Sequence, residues 1–228
     1  MIRRFPIAST AGRTLGVGAA AAAAALWFGD RAPFPYGQRW MLDIPLPLLT
    51  CGRLDAVLQA CSGERILEIG PGTGLQSLHV APQLGAEGRL DVVDIQRSML
   101  DHVEHRAQAR GITNIVATQA DAGNLPFADN TFDAVYLVTV LGEIPDSEQV
   151  LREAVRVLTP AGRLVVGEFF DPHWIPFGRL HAMADSCGLH LTARTGPTVA
   201  YLARFQQCTD QPRLRSHSPG AVPYTPVP

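Results

Sequence analysis

"RILEIGPGTGLQS", residues 65–77, decides the fold. Arg65 to Ile69 is a charged start followed by an almost continuous apolar run, which predicts a strand buried on both faces. Glycines at 70, 72 and 74 then interrupt it. Glycine at that spacing lets the chain enter left-handed backbone conformations and lets a ligand approach the main chain closely. A helix is expected from about Leu75 to Leu84. Strand, glycine turn and helix together make a corner at which α/β sheets hold ligands. Glu68, at the strand's end, is the one acid in the run.

Outward from this corner the pattern repeats. Upstream, a helix is expected from Leu48 to Ala60, closed by Ser62-Gly63. Downstream, "RLDVVDI" (89–95) predicts a second strand, Ser98 to Arg110 a helix stopped by Gly111, and "NIVATQAD" (114–121) a third strand. "FDAVYLVTV" (132–140) reads as a buried parallel strand. Asp146 and Gln149 form a capping box for a helix whose Val150, Leu151, Ala154, Val157 and Leu158 share one face, with Pro160 and Gly162 ending it. "GRLVVGEFF" (162–170) predicts the fifth strand, and Phe177 to Cys187 a helix ended by Gly188. "LHLTART" and "TVAYLARFQ" flank Gly196-Pro197 and should pair as an antiparallel hairpin. The expectation is a doubly wound, mostly parallel, seven-stranded α/β sheet with a C-terminal hairpin. This domain spans residues 46–206. Residues 1–45 form an alanine-rich segment and a proline/aromatic arm, and 207–228 a polar, proline-rich disordered tail.

Composition removes several function classes. The 228 residues carry a net charge of −2, so no global field attracts nucleic acid. All nineteen basic residues are arginine, which excludes Schiff-base lysines, the phosphate-loop lysine and the Tyr-x-x-x-Lys pair of short-chain dehydrogenases. Cys51, Cys61, Cys187 and Cys208 show no Cys-x-x-Cys and no zinc spacing, so no metal is expected and reduced core thiols are. The run from Leu15 to Gly29 is short and alanine-rich for a membrane span, and Arg13 and several glycines interrupt a signal-peptide pattern. It is expected to pack as a helix on the domain or on a membrane surface. The address is therefore cytoplasmic, with membrane association through that helix left open. Nothing in the sequence bears on oligomeric state.

The glycine spacing separates two ligands. A dinucleotide fingerprint is G-x-G-x-x-G, its last glycine allowing close packing around a pyrophosphate. Here the run is G-x-G-x-G, Leu75 stands where that glycine would fall, and an acid beside a diphosphate would repel it. "LEIGPGTG" instead resembles the first motif of the class I S-adenosylmethionine-dependent methyltransferases, whose Rossmann-like fold matches the pattern above. The later segments "FDAVYLVTVLGEIPD" and "LREAVRVLTPAGRLVVGEF" are similar to the branch containing quinone C-methyltransferases. The resemblance implies S-adenosylmethionine as cofactor, with Glu68, Gly70 and Gly72 at its methionine end. It places Asp94 and Ile95 at the ribose and Asp121 and Ala122 at the adenine, with Leu125 or Phe127 near the ring. Val138 would complete the set at the end of the fourth strand. Taken alone, an acid ending a strand is as readily a turn cap.

The acceptor should lie above the fourth and fifth strands. "TVLGEIPD" stands where N-methyltransferases of nucleic acid and protein amides carry Asn/Asp-Pro-Pro-aromatic, which favours a small-molecule acceptor, here apolar. His173 is the candidate general base, since a histidine side chain can exchange a proton near neutral pH, or else a loop cap. Glu143 either orients the acceptor or caps the following turn. Trp174 is expected to pack. The arm, with Phe34, Tyr36, Arg39 and Trp40, would fold over the cofactor as a lid and bring Tyr36 to the methyl group, or merely cover an apolar face. The expected function is transfer of a methyl group to a small hydrophobic acceptor. The alternatives are a nicotinamide-dependent oxidoreductase and a non-catalytic S-adenosylmethionine-binding or interaction module. Arsenite methylation would need clustered thiols, which the cysteine spacing does not supply.

Overall fold

The computed structural model describes residues 33–44 and 48–207. The alanine-rich segment, Cys208 and the expected tail lie outside the described residues. Seven strands form one sheet: β1 (Arg65–Ile69), β2 (Arg89–Asp94), β3 (Ile115–Gln119), β4 (Phe132–Val138), β5 (Leu158–Phe169), β6 (Leu189–Thr195) and β7 (Ala200–Gln207). Their spatial order is β3-β2-β1-β4-β5-β7-β6. The first five pair in parallel, and β7 inserts antiparallel between β5 and β6. The chain winds outward from β1 through β2 to β3, then returns to the other side of β1 as β4. The carboxyl ends of β1 and β4 therefore flank the switch point of the sheet, where such folds open a crevice.

Helices α1 (Cys51–Leu58), α2 (Ser77–Val80), α3 (Arg97–Ala109), α4 (Ser147–Val157) and α5 (Phe177–Ser186) cover the two faces. Strand alternation sorts the core. Leu67, Ile69, Val135 and Leu137 point to the α4 and α5 side. Ile66, Leu90, Val92 and Tyr136 point to the side of α1, α2 and α3. On α4, Val150, Leu151, Ala154 and Val157 are all fully buried. Each Val or Leu there contributes about 1.5–3 kcal/mol over an exposed position.

Three boundaries differ from the sequence expectation. The helix expected from Leu75 to Leu84 is α-helical only over Ser77–Val80 and continues as a 3-10 turn over Ala81–Leu84. Gly74 and its neighbours are spent on the loop, and Pro82 lacks the N–H that an α-helix would use. Strand β5 begins at Leu158, across Pro160 and Gly162. Its register against β4 jumps between Phe132 and Ala134, so these residues are looped out as a bulge. Helix α1 is closed by Gln59 in the left-handed region at φ 50°, ahead of Ser62-Gly63. Only half of the capping box forms. The Gln149 N–H donates to Asp146 Oδ1 at 2.9 Å, while the Gln149 amide turns away to donate to the Gly123 carbonyl. Of the described cysteines, Cys51 and Cys187 are part-buried free thiols, and Cys61 is exposed instead of in the core.

Candidate active site

A cavity of ≈ 1000 Å³ opens at the switch point, roofed by the arm. Its floor is the glycine loop. Gly70, Gly72 and Gly74 have φ of 68°, 54° and 82°, conformations that disfavour any side chain. Space is equally short. A Cβ on Gly70 would stand 2.5 Å from Val140 Cγ2, and one on Gly74 would stand 3.1 Å from Val103 of α3. The first glycine thus lets the loop cross the end of β4, and the third packs on a helix.

Four carboxylates line the cavity: Asp94, Asp121, Glu143 and Asp171. No arginine lines it among the described residues, and His173 is the one lining side chain able to turn cationic. Such a wall repels a diphosphate and suits a nucleoside ligand with net positive charge, so the residues fit S-adenosylmethionine and oppose a nicotinamide dinucleotide. Asp94 ends β2, and its Oδ1 accepts the Gln96 N–H at 2.8 Å. Burial raises its pKa against the pull of the Gln96 and Ile95 N–H groups. Asp121 is more exposed, with Oδ1 accepting the Gly123 N–H at 2.8 Å. Ile95, Ala122 and Val138 all line the cavity, together with Gln96 and Met99, which sequence reasoning did not single out.

Glu68 is elsewhere. Strand alternation puts it on the Ile66 face, 3% exposed beneath the loop and outside the lining set, where it accepts the Ser77 hydroxyl of α2. The Tyr136 hydroxyl faces the same carboxyl without reaching hydrogen-bond geometry. Burial pushes Glu68 up to about 7, opposed by the Ser77 hydroxyl and assisted by repulsion from Asp94. The carboxyl that was expected at the methionine end is thus held beneath the loop by Ser77. Leu125 and Phe127 also face the core, Phe127 packing edge-on against Phe132 at 4.9 Å.

At the far wall of the cavity, β4 ends at Val138 and Thr139 turns the chain with φ 57°. A 3-10 turn, Leu141–Glu143, follows. It is anchored by fully buried Leu141 and by the Ser147 hydroxyl, which donates to the Leu141 carbonyl at 2.9 Å. A Cβ on Gly142 would lie 1.9 Å from the His173 carbonyl oxygen, so the loops after β4 and β5 meet backbone to backbone. That contact brings Glu143 and His173 to one wall. The loop cap is Asp171, whose Oδ1 accepts the His173 N–H at 2.8 Å. His173 Nε2 is buried and makes no hydrogen bond with the described residues. Burial, then repulsion from Asp171 and Asp94, pushes Glu143 up to about 7. Glu168, 2% exposed on β5, is pushed up to about 8 by burial, with Asp171 and Glu143 adding repulsion. Trp174 packs edge-on against Phe170 at 5.4 Å.

The arm closes the top. Pro33, Phe34, Met41, Leu42 and Ile44 line the cavity, but Tyr36 does not. The Tyr36 ring lies edge-on to His102 of α3 and under the Arg39 guanidinium, away from the lining. Asp43 clasps the arm to the core by accepting the Thr73 hydroxyl at 2.9 Å and Arg106 Nη1 at 2.8 Å. The Gln96 side chain adds a bond to the Phe34 carbonyl at 2.9 Å.

Sheet order, glycine loop and acids at the ends of β2 and β3 define a doubly wound domain of the S-adenosylmethionine-dependent methyltransferase type. A sequence model of the ubiE/COQ5 methyltransferase family matches residues 53–184, and the chain belongs to that family. The chain is similar to the ubiquinone/menaquinone biosynthesis C-methyltransferase UbiE of Cellvibrio japonicus, 43% identical over 113 residues, or 49% of this chain and 45% of that protein. Its likeness to the protein of the same name from Vibrio cholerae is 34% over 139 residues, covering 60% of this chain and 52% of the other. The chain thus spans about half the length of the curated relatives it matches. Among solved structures, an S-adenosylmethionine-dependent methyltransferase from Aquifex aeolicus superposes with a TM-score of 0.69 at 17% identity, covering 75% of this chain and 98% of that one. That likeness shows the fold. Among the described residues, no helix is long and apolar enough to cross a membrane.

Proposed function

We propose that the protein transfers a methyl group from S-adenosylmethionine to a ring carbon of a small, apolar, quinol-like acceptor. The observation that carries this reading is the cavity itself, a glycine-loop crevice edged by Asp94 and Asp121 that opens into an apolar chamber ending at Glu143 and His173. The cofactor supplies an electrophilic methyl group on a sulfonium. Gly70 and Gly72 would let the main chain approach its methionine end, and the Asp94 carboxylate would accept both ribose hydroxyls. Asp121 and Ala122 would receive the adenine, between Ile95 and Met99.

The chain's own contribution is alignment and exclusion of water. Phe34, Leu42, Ile44 and Phe169 supply apolar walls around the acceptor space. The Glu143 carboxyl is the polar group there that can bind a phenolic oxygen or take its proton, whereas His173 Nε2 is itself buried. The carbon acceptor follows the names of the relatives. The apolar chamber and the acid lining support an acceptor that enters neutral and apolar.

The test uses methyl-labelled S-adenosylmethionine and a short-chain demethylated hydroquinone, with mass spectrometry to locate the methyl. A C-methylated product formed by wild type and lost in Asp94→Ala is the expected result. Asp94→Ala should weaken cofactor binding about a hundredfold through loss of charge-assisted hydrogen bonds, while its melting stays cooperative. Wild-type affinity in that variant would remove Asp94 from the site, and label on oxygen alone would replace carbon with oxygen as the acceptor atom.

A further inference from the structure

Glu143 sits where two charges that change during methyl transfer would meet. Its turn is held rigidly by buried Leu141, by Ser147 and by the Gly142 contact with the His173 backbone. Its carboxyl lines the cavity and makes no hydrogen bond or ion pair with the described residues. Every ionisable group facing it except one is an acid: Asp94 at the end of β2, Glu168 on β5 and Asp171 just beyond. The exception is His173, whose charge acts on Asp171. An unpartnered carboxyl among acids has a raised affinity for its proton until a cation arrives. No cation is supplied by a described lining residue other than His173.

We propose that Glu143 trades its proton for the positive charge of the cofactor, releasing it when a sulfonium is bound and standing ready as the carboxylate that takes the acceptor's proton. The inference rests on the S-adenosylmethionine reading above and adds the order of events. Burial and the acids around it hold Glu143 up at about 7, so it is half protonated at neutral pH. A bound positive charge nearby stabilises the carboxylate and lowers that value. In the transfer, the phenol O–H bond breaks and its proton joins Glu143. A carbon–carbon bond then forms as the sulfur–methyl bond breaks, with that electron pair staying on sulfur. The ring carbon of the resulting neutral dienone then loses its hydrogen as a proton, and the carbonyl oxygen gains one, which restores the phenol. Glu143 is left protonated beside a thioether that no longer carries charge. The carboxyl is thus fully ionised at neutral pH only while the methyl donor is loaded, so the base is most available when the acceptor can be methylated.

Binding calorimetry tests this without turnover. Wild type is titrated at pH 7 with S-adenosylmethionine and with S-adenosylhomocysteine, each in buffers of different ionisation heat, so that protons released can be counted. The expected result is release of about half a proton with the sulfonium ligand beyond that with the thioether. The affinity for the sulfonium ligand should also rise about tenfold from pH 5 to pH 8, as expected for a one-unit fall in the Glu143 pKa. Glu143→Gln, which keeps the shape and loses the charge, should abolish both effects and bring the two affinities together. Glu168→Gln, behind the wall, should keep them. Equal proton release for the two ligands, or release that survives in Glu143→Gln, would overturn the proposal while leaving the function intact. Failure of both ligands to bind wild type would overturn the functional reading and this inference with it.

Discussion

At the scale of single residues, the site is built from backbone conformations that the sequence pays for in stability. Three glycines take them without strain, but Thr139 does not. It is β-branched, holds φ 57°, and sits between the end of β4 and the turn that carries Glu143. Its N–H donates to the Gly167 carbonyl at 2.8 Å, which fixes the conformation. Left-handed backbone costs such a residue about 1–2 kcal/mol. Glycine would relieve that cost but lose about 0.5–1 kcal/mol to chain entropy. Thr139→Gly should therefore stabilise the protein by up to about 1 kcal/mol, read as a higher urea midpoint at unchanged slope. A lower midpoint would mean that the turn is held by the threonine side chain and is not strained.

At the scale of elements, the arm forms one wall of the cavity. It reaches the domain through polar contacts at only a few points, chiefly Asp43 with Thr73 and Arg106. Burial opposes ionisation of Asp43, but the Thr73 and Arg106 bonds outweigh it and hold the carboxyl below its usual range. A depressed acid stabilises above its ordinary pKa and loses that stabilisation only as pH falls through the folded value, so the clasp is at full strength at neutral pH. The pair is partly exposed, which limits it to about 1 kcal/mol after screening. Asp43→Ala should accordingly speed tryptic cleavage after Arg39 about fivefold, with the core resistant. Unchanged cleavage would show that the apolar contacts alone hold the arm. The parallel strands were legible because buried strands are nearly continuous apolar runs, and the helices because Asp146, Gly111 and Gly188 punctuate them. The arm's clasp was not, since Asp43 and Arg106 lie far apart in sequence and neither stands in a pattern. The cavity-lining acids Asp94 and Asp121 were legible as strand ends, whereas the burial of Glu68 was missed despite a visible sign: it has the same strand parity as Ile66. The early start of β5 depends on its pairing with Phe132, a long-range contact that no local window contains.

At the scale of the whole molecule, the two ends of the parallel strands are electrostatically unlike. At the amino ends charges are paired. Arg163 donates to Glu64 at 2.7 and 2.8 Å, and Arg65 and Arg89 both hold buried Asp91. At the carboxyl ends Glu68, Glu143 and Glu168 have no cationic partner among the described residues, and burial pushes them up to about 7, 7 and 8. The two ends therefore bend stability with pH in opposite senses. Burial disfavours the Glu64 carboxylate, but Arg163 more than offsets this and depresses its pKa, so its stabilisation is lost as pH falls below the ordinary range near 4.5. The three raised acids bind more protons folded than unfolded between about 4.5 and 8, so their ionisation destabilises the fold as pH rises through that window. The ligand-free protein should be most stable near pH 5–6 and lose stability by pH 8.5. A tenfold change in proton affinity at one such acid corresponds to about 1.4 kcal/mol, or roughly 3–6 °C in Tm for a domain of this size. Glu168→Gln removes the most strongly raised of the three and should flatten the alkaline limb of a Tm-against-pH curve. A Tm that stays level from pH 5 to 8.5 in wild type would show these carboxyls to be solvated.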